Sequence, residues 1–180
     1  MREDGKPIRI SFIGNVRFFD VNEKIVDAFK NDPRFELHYH GTNAKEIEEY
    51  AKRIGANNVI CSGSFPVSET KHFLEDADII NNAFGNKTVG VRTLTSIRLF
   101  HAAYMNMPIL VNSGTFMQKV ADKYGIGFPI EDLDEFLPDK LYKWYKSIDF
   151  NSLAKGCKDL IIEAEIANEE FEKTLSEWLL

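Results

Sequence analysis

Short apolar, β-rich runs alternate with helical patterns along the first two-thirds of the chain, and this alternation constrains the fold more than any other feature. Ile8–Ile13, Phe35–His40 and residues 58–62, 78–81, 108–112 and 126–130 are such runs, and Gly14, Gly41 and Gly63 follow the first three. Runs of this length, bounded by turn residues, read as strands. Between them, apolar residues recur at three- and four-residue steps: Ile25, Val26 and Phe29; Ile47, Tyr50, Ala51 and Ile54; Phe73, Leu74 and Ala77; Leu99, Phe100, Ala103 and Tyr104. These are buried helix faces. The expected N-caps are Asp20 or Asn22, Thr42 or Asn43, Ser68, and Thr95, and Gly55 and Gly125 end two of the helices. The pattern predicts an α/β fold with a doubly wound, mainly parallel six-stranded sheet, its faces covered by right-handed crossovers.

The last third changes character. Residues 140–148 form an aromatic-rich helix with Leu141, Trp144 and Tyr145. A long amphipathic helix then begins near Ser152 and carries Leu153, Cys157, Leu160, Phe171 and Leu175 on one face and glutamates on the other. Its apolar face is longer than one small sheet needs. The end, residues 171–180, is expected to leave apolar surface exposed or to cover it in a dimer.

With 180 residues, 44% of them hydrophobic, the chain has room for one well-packed domain. Residues 8–180 are read as that domain and residues 1–7 as a polar linker, expected to follow a domain that this chain lacks. The linker has no apolar stretch of signal-peptide type, so a cytoplasmic protein is expected. The formal net charge of -6 argues against a nucleic-acid partner that needs a broad basic face. The two cysteines, Cys61 and Cys157, sit in apolar segments and read as buried free thiols. His38 and His40 alternate on one face of the second strand with Glu36. Two histidines so spaced can share a metal ion, but with no third ligand evident, ordinary packing or hydrogen bonding is the expected use.

In open parallel sheets, ligands bind beyond the carboxyl ends of the strands, where strand order reverses. That directs attention to residues 14–22, 41–43, 63–67, 82–95 and 112–116. The first of these loops reads Gly14-Asn-Val-Arg-Phe-Phe-Asp20. It is not a dinucleotide fingerprint, and no acidic residue ends the second strand to meet a ribose. Arg17 is its only cation, placed either to fork onto an anion or to pair with Asp20. The helix expected to start at Thr95 offers unpaired N–H groups and the positive end of its dipole to a diphosphate. Arg98 and His101, one turn apart, extend that polar edge; a solvated Arg98 is the alternative. A receiver domain would need acidic residues after the first strand and an aspartate ending the third, where the chain has Gly14, Asn15, Ser62 and Gly63.

The ordered series of segments from Ile8 to about Leu175 resembles the C-terminal half of the retaining glycosyltransferases with the two-Rossmann GT-B fold, among them many capsule, exopolysaccharide and lipopolysaccharide transferases. Carrying the resemblance are Phe12-Ile-Gly-Asn-Val-Arg-Phe-Phe-Asp20, Val59-Ile-Cys-Ser-Gly63, Leu99-Phe-His-Ala-Ala-Tyr-Met-Asn-Met-Pro-Ile-Leu-Val111 and Lys119-Val-Ala-Asp-Lys-Tyr-Gly-Ile-Gly127. The resemblance implies a donor-binding domain that holds a nucleoside-diphosphate sugar, UDP-linked, and works with an N-terminal acceptor domain. The sugar would pass with retention to a glycan or lipid-linked acceptor at the inner face of the membrane, without a bound metal or other cofactor. Where the family has two donor-contacting glutamates, this chain has Thr93 and His101, and Asn15 stands where an arginine is usual. The expected donor contacts are therefore Gly14, Asn15, Ser64, Gly85, Thr93, Thr95, Ser96, Arg98 and His101, with Arg17 as the catalytic charge on the leaving diphosphate. Two alternatives share the architecture: a sugar-nucleotide epimerase-like enzyme and a non-enzymatic nucleotide-binding module.

Overall fold

The computed structural model describes residues 5–179, so the linker read over residues 1–7 falls mostly outside it. Its strands are β1 (Ile8–Ile13), β2 (Phe35–His40), β3 (Val59–Ser62), β4 (Ile79–Asn81), β5 (Ile109–Asn112) and β6 (Gly127–Ile130). Its helices are α1 (Phe19–Phe29), α2 (Ala44–Ile54), α3 (Thr70–Glu75), α4 (Val89–Thr93), α5 (Ile97–Tyr104), α6 (Phe116–Tyr124), α7 (Leu137–Ser147) and α8 (Phe150–Leu179). The strands form one sheet in the order β3-β2-β1-β4-β5-β6, with every pairing parallel. Order reverses between β1 and β4, as in a doubly wound fold.

Because strand side chains alternate between faces, each strand feeds two cores. Ile8, Ile10 and Phe12 of β1 join a core with residues of α1, α2 and α7. Ile13, Ile80, Ile109 and Val111 join a second, beneath α5, α6 and α8. Fully burying each such side chain contributes roughly 1.5–3 kcal/mol, which is what holds helices of this length in place. In α2, Ile47 and Ala51 are one turn apart and buried, and Gly55, at φ 71°, ends the helix in the left-handed region.

Several boundaries differ from the sequence expectation. Neither Asp20 nor Asn22 caps α1; the cap position is Phe18, itself left-handed at φ 55°, and both polar residues lie inside the helix. Asn43 holds the cap position of α2 without a side-chain capping bond. A 3-10 turn at Val67–Glu69 precedes α3, where Ser68 was expected to open the helix. The helix α4 lies in a segment whose sequence pattern reads as loop. It exists because Thr88 accepts a hydrogen bond from the Val91 N–H at 3.3 Å and Val91 is buried. The α5 cap is Ser96, not Thr95: Ser96 has the extended backbone of a cap and accepts from the Arg98 N–H at 3.3 Å. Pro138 in the first turn of α7 and Asp149 ahead of α8 start those helices earlier than predicted.

The helix α8 is anchored by Leu153, Gly156, Cys157 and Leu160, all buried. A Cβ at Gly156 would overlap the Tyr124 carbonyl oxygen, so α8 and the end of α6 touch backbone to backbone there. The far end of the helix is bare, with Trp178 86% and Leu179 78% exposed. Among the described residues, no helix is long and apolar enough to cross a membrane.

Candidate functional site

The carboxyl ends of β1 and β4 flank the reversal of strand order. After β1 the chain turns at Gly14, whose φ of 114° suits glycine. The Gly14 N–H donates to the His40 carbonyl at 2.8 Å, and the Val16 N–H donates to the Thr42 carbonyl at 2.9 Å. The loops after β1 and β2 are thus stitched together. They meet so closely that a Cβ on Gly41 would overlap the Gly14 carbonyl oxygen. Further along, the buried Asn22 amide donates to the Arg17 carbonyl at 2.8 Å and the Phe18 carbonyl at 3.1 Å. It fixes the loop just where Phe18 takes its left-handed turn, and the Phe18 ring packs on Phe84 at 5.5 Å.

Arg98 is the unusual residue of this region. The expectation of a solvated side chain fails: Arg98 is only 7% exposed. Its guanidinium carbon lies 3.8 Å from the centre of the Phe12 ring and 5.1 Å from that of Phe84. Its Nε donates to the Ile13 carbonyl at 2.8 Å. Gly14 makes room for it, since a Cβ there would stand 3.3 Å from Nη2. Burial, and then the charge of Arg17, push its pKa down to about 10, so it stays cationic at neutral pH. Aromatic faces and one carbonyl compensate a buried cation only in part. Among the described residues no carboxylate pairs with it.

Arg17 itself is exposed. The alternative in which it pairs with Asp20 is not what forms. Asp20 accepts from Lys87 Nζ at 2.8 Å, a contact that lowers its pKa. His101 is half-buried one turn beyond Arg98, and its Nδ1 is buried without a partner. Burial, and then the charge of Arg98, lower its pKa, so the ring is neutral at physiological pH. A cleft of about 230 Å³ gathers Gly14, Asn15, Gly41, Thr42, Ser64 and His101 at its walls. The Thr42 and Ser64 hydroxyls stand 3.1 Å apart across its rim.

No protein-family model and no curated sequence matches this chain. Solved structures do. HepE of Anabaena, determined in complex with UDP, superposes with a TM-score of 0.73 at 12% identity, over 96% of this chain and 49% of that one. Sucrose-phosphate synthase of Thermosynechococcus elongatus gives 0.68 at 12% identity, over 96% and 46%. The C-terminal domain of LpcC, a group 1 family glycosyl transferase of Francisella tularensis, gives 0.58 at 18% identity, over 83% of this chain and 80% of that domain. The fold is theirs. The chain spans about half the length of the first two, as one Rossmann-like half of a GT-B architecture does.

Within this shared fold the expected site residues fall into two groups. Gly14, Asn15, Ser64 and His101 converge on one cleft, and Arg98 reaches toward Gly14 at its edge. Thr93, Thr95 and Gly85 do not join them. The Thr93 hydroxyl turns back to the Val89 carbonyl of its own helix at 2.9 Å. Thr95 lines a separate apolar cleft of about 350 Å³ with Leu99, Phe116 and Leu160. Gly85 lines a polar groove of about 520 Å³ with Asp20, Lys24, Asn112 and Glu131. Ser96 faces its own helix as the cap.

The histidines of β2 have ordinary hydrogen-bonding uses. His38 Nε2 lies 3.2 Å from Glu36 Oε2, and His40 Nδ1 lies 2.8 Å from Ser62 Oγ. Cys61 and Cys157 are free thiols, and burial raises the pKa of Cys61 to about 12 and of Cys157 to about 11. Gly41 and the aromatic seat of Arg98 are not among the contacts expected from the sequence. A glycine ending β2 was the legible signal for the first. For the second there was none, because Phe12 reads as any core residue of a strand.

Proposed function

We propose that the chain is the donor-binding half of a glycosyltransferase that transfers a sugar, with retention, from a UDP-linked donor to a glycan or lipid-linked acceptor. The carrying observation is Arg98: a buried guanidinium at the switch point with no carboxylate beside it among the described residues. Such a cation is completed by an anion, and the diphosphate of a nucleotide is the anion that a GT-B half handles. The likeness to HepE, solved with UDP and with UDP-glucose, supports that choice. The nucleoside lies in the cleft lined by Ser64 and His101, where the neutral imidazole hydrogen-bonds a ribose hydroxyl. The diphosphate lies over Gly14, reached by Arg98 from below and Arg17 from the exposed side. As the bond to the sugar breaks, negative charge builds on the β-phosphate, and preorganised cations stabilise it without reorganising.

The acceptor and the groups that orient it belong to a second domain, and the full enzyme works in the cytoplasm, at the inner face of the membrane. With half of the cleft contributed elsewhere, this chain alone binds UDP in the high-micromolar range or more weakly, an estimate of roughly 10⁻⁴ M from the contacts available. NMR titration with UDP, GDP and NAD checks this. Shifts at Gly14, Ser64, Arg98 and His101 with UDP are the expected result. Shifts confined to NAD, or none there with any nucleotide, would overturn the reading.

A further inference from the structure

Three asparagines sit at the carboxyl ends of β4 and β5, and two of them have visible structural work. Asn81 Oδ1 accepts from the Ala83 N–H at 2.9 Å, and Asn112 Oδ1 accepts from the Gly85 N–H at 2.6 Å. Asn86, farther along, donates to the Ser113 carbonyl at 3.0 Å. Together they pin the strap that follows β4. Asn82 lies between the first two and pins nothing. It is 2% exposed, and neither its Nδ2 nor its Oδ1 has a partner among the described residues.

A buried amide with both groups unbonded costs stability that an apolar side chain of similar shape would not. Where a chain breaks a rule of folding without visible compensation, function is the usual reason. The Asn82 side chain lines a cavity of about 10 Å³, walled by Phe84, Val91, Leu94, Asn112 and Thr115. That is about the space of one hydroxyl group or water molecule. Gly85 and Asn112 also line the 520 Å³ polar groove outside, so the cavity lies one layer beneath it. One wall of the cavity is α4: Val91 is in the helix and Leu94 is its C-cap. This helix is five residues long, with a single buried side chain and Val89 in solvent. Elements with so little burial open at low free-energy cost.

We propose that α4 is a lid, and that when it lifts the Asn82 amide reads the hydroxyls of the sugar carried on the nucleotide. The inference rests on the nucleotide-sugar reading of the site. An amide offers a donor and an acceptor side by side, which matches a vicinal diol. A nucleoside diphosphate without its sugar leaves the amide unmet, because its one diol, on the ribose, lies in the cleft of Ser64 and His101. Asn82 is thereby a specificity residue for the sugar, separate from the Gly14, Arg98 and His101 contacts to the nucleotide.

The test is NMR and calorimetric titration of the 180-residue chain and its Asn82→Leu variant with UDP, UDP-glucose, UDP-galactose and UDP-N-acetylglucosamine. At least one nucleotide sugar is expected to bind wild type about fivefold more tightly than UDP, the scale of one good hydrogen bond. In Asn82→Leu that margin disappears, UDP affinity is kept, and the melting temperature is equal or higher because the unbonded amide is gone. In wild type the Asn82 side-chain amide signals shift with that sugar nucleotide and not with UDP, a readout that needs no variant. UDP binding with no sugar-dependent shift at Asn82, or a margin kept in Asn82→Leu, overturns the inference alone. Failure of every nucleotide to bind overturns the nucleotide-sugar reading together with it.

Discussion

Arg98 and Arg17 are both guanidinium groups at one loop, yet their surroundings make them different instruments. Arg98 is held by Phe12, Phe84 and the Ile13 carbonyl and has little freedom left to lose on binding an anion. Arg17 is exposed and has no ion pair among the described residues, so it must be ordered by the ligand. In the two-domain enzyme proposed above, Arg17→Ala is expected to lower kcat on the order of 10²-fold, the scale for removing one charge-stabilising donor. Arg98→Met should weaken donor binding and kcat together, whereas His101→Ala should mainly raise the donor KM, since a ribose contact changes little on the way to the transition state. Steady-state kinetics separates these patterns. Unchanged constants in Arg17→Ala with turnover abolished in His101→Ala would mean that the roles are assigned wrongly. His40 supplies a pH prediction. Burial first, and the charge of His38 next, lower its pKa from 6.5 to about 4 in the fold, against a partial opposing effect of Asp76 and a further lowering by His72. A depressed folded pKa contributes stability above the unfolded value, and that stability is lost as pH falls from about 6.5 toward 4. His40→Phe should therefore show a flatter melting temperature between those limits, measured by circular dichroism against wild type.

Among the elements, the start of α5 separates two readings that differ by one residue. With Ser96 as cap, Ser96→Ala should cost about 1 kcal/mol and Thr95→Ala much less, since only the former leaves a helix N–H without its acceptor. Urea denaturation of the two variants decides it, and equal losses would put the cap elsewhere. The reason Thr95 looked right is that both residues are good caps and one-residue boundaries are set by tertiary packing. The strands were legible for a stronger reason. In Ile8–Ile13 and Phe35–His40 every second residue, Ile8, Ile10 and Phe12 and then Phe35, Leu37 and Tyr39, is apolar and buried, and Gly14 and Gly41 follow where the backbone must turn. The helix α4 was not legible: Val89, Gly90, Val91 and Thr93 are poor helix formers, and only the Thr88 cap and the burial of Val91 make the turn. The site was legible as loops and not as contacts. Gly14, Asn15, Ser64 and His101 do meet, but no periodicity foretells that an arginine one residue into a helix will point inward over a phenylalanine.

For the molecule as a whole, two cores flank one sheet, and α8 runs off one of them. The polar groove, the cleft of Gly14 and His101, and α4 all lie at the carboxyl ends of the strands, while the apolar cleft beside Thr95 lies against α8. The exposed end of α8 bears on solubility more than on stability. Trp178→Glu with Leu179→Glu should leave stability within about 0.5 kcal/mol of wild type and the melting temperature almost unchanged, because neither side chain is packed in the chain's own core. The same pair should reduce any concentration-dependent association seen by sedimentation velocity, since it removes two large, adjacent, exposed apolar side chains. A large fall in melting temperature would mean that the helix end folds back onto the body.

The 30 residues of α8 also have a mechanical meaning. At 1.5 Å per residue the helix is about 45 Å long; its last buried anchor is Leu160 and Lys123 and Tyr124 hold Glu163, so the part beyond Glu163 projects about 24 Å. Such a rod behaves as the pointer of a gauge. A rotation of about 10° at the Gly156 fulcrum, where backbone rests on backbone, sweeps the tip through about 6 Å by the same geometry. The strain of a small shift between α5 and α6 would be felt least at the sheet and displayed most at Trp178, the bulkiest side chain on the pointer's free end.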